Sequence, residues 1–376
     1  MPNTAATRDD RRVTNPIFNQ RKLKLGTFQS NLDYGCLMSD VEGRLQISWA
    51  NTVALAKLAD EMEFEALLPV ARWRGFGGRL NPQGRGFETY TWASGIAALT
   101  QNAGVVATSH CSVNHPITAA KQSAAIDHIS NGRYILNIVT GWNKPEIDMF
   151  GAEMRPHDER YDMAEEWLNV VKRLWTEDEF DHDGKYYKIV KGYLQPKPIQ
   201  QPYPAIMNAG GSERGRHFAC KYCDLAFVAL GAPSFEQNKA QVEAYRKLAR
   251  EEYGREIAVW TSANIIQAET EAEARRYSDY VVHEKGDWEA VTYALNTLGL
   301  NAKTFSPEAI KHLKELFIAG WGSYPLVGTR EQVVEGLKML SDMGLDGVLL
   351  SWPRYEEGMR DFRAMTYPLL VQAGLR

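Results

Sequence analysis

The chain has 376 residues, 44% of them hydrophobic and 24% charged, with a formal net charge of −4. That apolar share suffices for a packed core and excludes a disordered or fibrous chain. The acidic balance argues against a nucleic-acid partner, whose phosphates need a basic surface. No run approaches the roughly 18 apolar residues of a membrane helix, and the polar, basic N-terminus lacks the apolar stretch of a signal peptide. Four cysteines are no disulfide framework. A cytoplasmic protein with no membrane partner is expected.

In chain order, residues 1–23 read as an arm or a clamp onto a neighbouring subunit, and 24–376 as one domain. A strand-like run at Lys24 to Phe28 is followed by apolar positions at helical spacing from Trp49 to Phe64. A buried strand spans Glu65 to Val70, and the loop Arg72-Trp73-Arg74-Gly75-Phe76-Gly77-Gly78 reads as a mobile active-site loop. Helices near 88–100 and 117–129 alternate with strands near 105–108 and 134–139. An amphipathic helix covers Arg160 to Trp175, with Met163, Trp167, Val170, Val171 and Leu174 on one face. The stretch near 176–204, rich in Asp, Gly, Tyr and Pro, breaks the rhythm as an insertion with the character of a hairpin.

Strands at 204–207, 225–229 and 257–266 follow, with helices between them. A second insertion near 270–326 is mostly helical, with no clear strand. Thr329-Arg330-Glu331-Gln332 is a capping box, Gly344 suits the end of the helix it starts, and Gly347 to Ser351 is a fully buried strand. Eight strands, near residues 25, 67, 106, 136, 206, 227, 260 and 349, each followed by a helix, predict an α/β fold with a parallel sheet. The count favours a closed (β/α)8 TIM barrel with insertions over an open doubly wound sheet.

In such a barrel the active site lies at the C-terminal ends of the strands. That selects Ala71 to Arg74, Thr108-Ser109-His110, Asn137, Thr140 to Glu146, Asn208 to Ser212 and Ser351 to Arg354. Ala209-Gly210-Gly211-Ser212 is the best anion site: glycines let backbone amides approach a ligand, and a helix N-terminus attracts phosphate. Arg160-Tyr161 offers a guanidinium and a phenol to the same ligand. Trp73, Trp142 and Trp352 at strand ends suit a flat aromatic ligand. Arg74 to Gly78 lacks both the P-loop lysine and the dinucleotide fingerprint. Cys220 and Cys223 have CxxC spacing with His217 nearby, but Cys36 and Cys111 supply no second pair, so no metal is expected. No nucleophile elbow occurs.

These residues also resemble a family, the bacterial-luciferase-like flavin monooxygenases, and within it the branch of pyrimidine, dimethylsulfone and alkanesulfonate monooxygenases. The similarity lies in Arg74 to Gly78, Ala125-Ile126-Asp127 with Gly132-Arg133, Asn137 to Trp142 with Lys144-Pro145-Glu146, Arg160-Tyr161, Ala209 to Ser212, and Val327 to Ser351. The resemblance implies a luciferase-like barrel, reduced FMN delivered by a separate NAD(P)H:flavin reductase, O2 as co-substrate, and a homodimer or homotetramer. It implies cofactor contacts at Ala71, Arg72, Asn137, Glu146, Arg160, Tyr161, Gly210, Gly211 and Ser212. Thr108, Asn137 and Trp142 are implied to form the catalytic pocket beside flavin N5, favouring an N5 oxygen adduct.

Trp73, Arg74, His110 and Trp352 are expected at the substrate, where Arg72, Arg74 and His110 suit an anionic or amide-bearing molecule. The pyrimidine enzyme carries Ile-Lys-Leu where this chain has Ala71-Arg72-Trp73, so another N-heterocycle, an amide or an organosulfur compound is as well supported as uracil. The alternatives are a deazaflavin-dependent oxidoreductase of the same fold, a sugar-phosphate lyase or isomerase using Lys144 and Glu146, and a non-catalytic or light-emitting flavin-binding subunit.

Overall fold

The computed structural model describes residues 10–231, 234–300 and 305–376. Eight parallel strands close into a barrel in the order β1 (Lys24–Phe28), β2 (Ala66–Leu68), β3 (Val105–His110), β4 (Tyr134–Val139), β7 (Ala205–Asn208), β8 (Leu225–Phe227), β9 (Ala258–Gln267) and β11 (Gly347–Ser351), which returns to β1. They are the eight strands expected from the apolar runs. Between β4 and β7, strands β5 (Glu179–Asp183) and β6 (Lys188–Tyr193) form an antiparallel hairpin.

The second interruption departs from its reading in one respect. After helices Glu271–Asp279, Trp288–Thr297 and Pro307–Gly320 comes a strand, β10 (Tyr324–Gly328), parallel to the far end of β9. β9 is ten residues long. Its start pairs with β8 and Trp260 to Asn264 pair with β11, while its last five residues, beyond the end of β8, carry β10.

Side chains alternate across each strand with period two. Phe28, Leu68, Val106, Ile135, Met207, Leu225, Trp260 and Leu349 fill the barrel, while Leu25, Leu67, Ala107, Leu136, Ile206 and Leu350 face the helices. Gly347 makes room for the largest inner residue: a Cβ there would lie 2.3 Å from the Trp260 indole.

The N-terminal end of the barrel is a floor. Residues 1–9 lie outside the described residues, but from Asp10 the expected arm packs on its own barrel. Arg11 pairs with Asp224 at 2.9 Å, Asn15 donates to the Tyr134 carbonyl at 3.0 Å, and Ile17 is buried against the inner cluster. Glu65, fully buried, accepts from the Leu25 amide and from Arg21 and Arg376, tying both ends of the described chain to β1 and β2.

The C-terminal end carries a roof. Phe76 is fully buried and packs with Met38, Val291, Leu295, Phe317 and Ile318 in a cluster that joins the 72–78 loop to the helices of 270–326. Gly78, at φ +69, lies so close to Asp287 and the Ala290 amide that a Cβ would meet them at 2.6 to 2.8 Å. The Leu80 amide donates to Asp287 at 2.7 Å. The loop expected to be mobile is pinned under this roof by an apolar anchor and a helix start.

Candidate active site

Two groups of side chains meet at the C-terminal mouth. The first surrounds the N-terminus of the helix Glu213–Tyr222, which follows β7. The Ser212 hydroxyl accepts from the Gly215 amide at 3.0 Å, capping this helix. The Gly210 amide donates to Asn208 Oδ1 at 2.8 Å, which shapes the turn. The Tyr161 hydroxyl lies against this turn, since a Cβ on Gly210 or Gly215 would stand 2.6 or 2.4 Å from it. Gly211 is different: a Cβ there meets nothing within 4 Å, so its backbone faces open space.

Arg160, one residue before Tyr161, donates to the Gly141 carbonyl. Its buried Nε has no hydrogen-bond partner. Burial raises the Tyr161 phenol above its ordinary pKa, against the pull of the Ser212 and Thr140 hydroxyls and Arg160, so it stays a donor at neutral pH. A capped helix start, an open glycine, a phenol and a guanidinium with a spare N–H are the donor set of a phosphate site.

The second group lies at the ends of β2, β3 and β4. Thr108, Asn137 and His110 point inward by the alternation that sends Val106 and Ile135 inward. Asn137 Nδ2 donates to Thr108 Oγ1 at 3.1 Å, and Thr108 donates to the Pro69 carbonyl at 2.7 Å. The Asn137 side chain is therefore held by its amide nitrogen, while its Oδ1 is buried without a partner. Such an acceptor costs stability unless a donor reaches it. A planar heterocycle with ring N–H groups, as a flavin has, supplies one.

Arg72 and Glu146, each with a side chain 3% exposed, pair at 3.2 Å. Glu146 Oε1 also accepts from the Trp73 and Arg74 amides at 2.7 and 3.1 Å, and Gln83 Oε1 accepts from Arg72 Nε at 3.1 Å. The guanidinium stands 4.7 Å from the Phe76 ring centre, 5.1 Å from Trp142 and 5.9 Å from Trp321. Burial lowers the Arg72 pKa and Glu146 opposes it; the side chain stays charged, as arginine does. His110 is pushed down to about 4 by burial, with Glu146 raising it and Arg72 lowering it. It is neutral at physiological pH.

Trp73, Arg72, Ala71, Thr108 and His110 line a cavity of about 110 Å³. Trp73 and His110 also border a small cleft that reaches Trp142, Glu146 and Phe150. Arg74 is exposed and reaches the site through its backbone amide.

Trp352 lies elsewhere. Leu349 points into the barrel, so Trp352 three positions on points out, where it packs edge-on against Tyr355 and Phe362 at 5.6 Å each. It lines a separate cavity of about 270 Å³ beside Gln267 and Arg354. The parity of β11 corrects its expected place at the substrate.

Sequence reasoning missed Gln83 and Trp321. Gln83 is a buried residue at φ +60 in an irregular loop, and no pattern announces it. Trp321 sits at φ +56 at the end of the helix Pro307–Gly320, and Gly320-Trp321-Gly322 was a legible sign of that end. The cysteines hold no ligand geometry: Cys220 donates to the Tyr245 carbonyl, and Cys223 is buried in the outer core.

The fold is an α/β barrel whose C-terminal mouth brings a capped helix start together with a cavity lined by Arg72, Thr108 and His110. Residues 34–347 match the model of the luciferase-like monooxygenases, and the chain belongs to that family. It is an oxidoreductase of the monooxygenase class. It is 30% identical over 354 residues to the FMNH(2)-dependent dimethylsulfone monooxygenase of Pseudomonas putida, covering 93% of this chain and 95% of that one. It is 28% identical over 356 residues to the pyrimidine monooxygenase RutA of Acinetobacter baylyi, with the same coverages. The structure of riboflavin lyase RcaE, solved with modified FMN and riboflavin, superposes with a TM-score of 0.82 at 21% identity, covering 94% of this chain and 92% of that one. Among the described residues no helix is long and apolar enough to cross a membrane.

Proposed function

We propose that the chain is the oxygenase of a two-component system: it takes reduced FMN from a separate NAD(P)H:flavin reductase and uses O2 to oxygenate a small organic substrate. The observation that carries this reading is the helix start of Gly210, Gly211 and Ser212 with Tyr161 against it, at the same end of the barrel as Thr108, Asn137 and the unpartnered Asn137 Oδ1. The donors fit a phosphate monoester, and the spare acceptor of Asn137 fits a ring N–H. The relatives named for FMNH(2), dimethylsulfone and pyrimidines support both the cofactor and a small N-heterocyclic or organosulfur substrate.

Bound there, reduced FMN supplies the electrons that activate O2, so that one oxygen atom passes to the substrate and the other leaves as water. The protein's own work is positional. Ser212, Tyr161, Arg160 and the Gly210-Gly211 backbone hold the phosphate; Asn137, Ala71, and the Arg72–Glu146 pair border the ring. Thr108 and Asn137 form the oxygen-side pocket, with Trp142 as its wall. Phe76, Trp142 and Trp321 close the mouth against water, which protects the reactive oxygen species from wasteful release. Trp73 and His110 face the substrate.

The test is anaerobic titration of the purified protein with reduced FMN, followed by mixing with oxygenated buffer and a panel of heterocycles, amides and sulfones. The expected result is tight binding and incorporation of one atom from 18O2 into a product. Absence of reduced-FMN binding, with binding of reduced deazaflavin instead, would overturn the proposal.

A further inference from the structure

Around the 110 Å³ cavity charge is present but matched within the protein. Arg72, the one cation lining the 110 Å³ cavity, is neutralised by Glu146 at 3.2 Å in a place where water does not screen the pair. Its Nε is turned to Gln83 and its face is covered by Phe76 and Trp142. The carboxylate that lines the cavity itself, Glu88, is spent on a helix start: Oε1 accepts from the Tyr90 amide, and Oε2 from the Thr91 amide and hydroxyl. Arg74 is exposed.

His110, 9% exposed, faces both the cavity and the cleft, and its ring makes no hydrogen bond to any described residue. One polar ring is thus free in an enclosure whose fixed charges are matched. An anion entering it would lose its hydration and meet the carboxylates of Glu88 and Glu146. A cation would find every neighbouring carboxylate already engaged by N–H donors. Both would bear a desolvation cost without a partner.

We infer that this site selects uncharged substrates, held by a hydrogen bond to His110, and that Glu146 sets this selectivity by cancelling the charge of Arg72. The inference rests on the proposed function and narrows it: of the anionic and amide-bearing molecules expected from the sequence, only the neutral ones fit.

The test uses FMN-loaded protein and isosteric probes that differ in charge: dimethylsulfone, methanesulfonate and trimethylsulfonium, together with nicotinamide and nicotinate. Binding is read from the perturbation of the flavin spectrum. The neutral member of each set is expected to bind at least about tenfold tighter than its charged counterparts. Equal binding, preference for a charged probe, or silence from all five would overturn the inference.

Glu146→Gln is expected to shift the methanesulfonate-to-dimethylsulfone ratio toward the anion by at least about tenfold. The double variant Arg72→Gln/Glu146→Gln, in which no charge is left uncompensated, is expected to return it. An unchanged ratio in properly folded, FMN-binding Glu146→Gln protein would remove Glu146 from the account. Should that variant fail to fold, the double variant decides: an anion preference in it would count against the inference. Failure of the wild type to bind FMN at all would sink the proposed function instead, before any probe is added.

Discussion

The two ends of the barrel bury polar groups in opposite ways. At the floor the carboxylates are saturated: Glu65 takes the Leu25 amide, Arg21 and Arg376; Asp224 takes the Ile206 amide and Arg11; Asp346 takes the Val259 amide and Arg246. Arg376 Nε and, just above the floor, Trp260 Nε1 are left without a partner among the described residues. At the mouth, Asn137 Oδ1, Asn143 Oδ1, Ser112 Oγ and Arg160 Nε are all buried and unpartnered. Saturation is what a structural end requires, because each unmet buried group costs about 1–3 kcal/mol. Unmet groups gathered at one end mark where a ligand completes the hydrogen bonding.

If the ends divide stability from binding in this way, substitutions should separate cleanly. The largest effect is expected at the floor. Glu65→Ala leaves Arg376, whose side chain is 1% exposed, without its carboxylate, and should destabilise by about 3–5 kcal/mol. Urea unfolding would measure it, and reduced-FMN affinity of the remaining folded protein should be unchanged. A matching loss of FMN affinity would blur the division.

At the mouth the pattern should invert. Arg160→Ala and Ser212→Ala should each weaken reduced-FMN binding by about 1.5–3 kcal/mol, the range of a hydrogen bond to a charged group. Ser212→Ala should cost about 0.5–2 kcal/mol of stability through its cap, and Arg160→Ala little.

Protons sharpen the contrast further. The folded-state pKa of His110 is depressed to about 4 from 6.5, mainly by burial, with Arg72 and Glu146 as the charged groups facing it. A depressed histidine pKa means that the unfolded chain binds the proton more readily. Its stabilising contribution is therefore complete above pH 6.5 and is lost as pH falls toward 4. Urea midpoints at pH 7 and 4.5 should fall further apart in the wild type than in His110→Gln. The smallest effect is expected for Trp352→Phe, an outward-facing change in the core layer, which should cost under about 1.5 kcal/mol and leave substrate oxygenation intact. A changed substrate preference would restore Trp352 to the site.

The strands and the helix start at Ser212 were legible in the sequence because their signals are local, whereas the floor was not: its pairs, such as Glu65 with Arg376, join distant segments. Continuous apolar runs mark strands buried on both faces, and Gly210-Gly211-Ser212 shows the turn and helix cap within three residues. β10 escaped because Tyr324-Pro325-Leu326-Val327-Gly328 is short, contains a proline and pairs only with the last five residues of β9. The Arg72–Glu146 pair spans 74 positions, and nothing in either segment announces the other. Trp352 was misplaced for a simpler reason: its side of β11 follows from counting alternate residues from Leu349, whereas residue type alone placed it at the ligand. The pinning of the 72–78 loop was hidden too, because it depends on helices more than two hundred residues away.

The measurement that tests the central claim most directly is a paired anaerobic titration of the wild-type protein with reduced FMN and reduced riboflavin, which differ only by the phosphate. With two charge-assisted contacts from the cradle, FMN should bind at least about 100-fold tighter. Equal affinity for the two flavins would contradict the assignment of Arg160, Tyr161 and Ser212 to the phosphate, and with it the reading of the mouth as a flavin site ordered from that end.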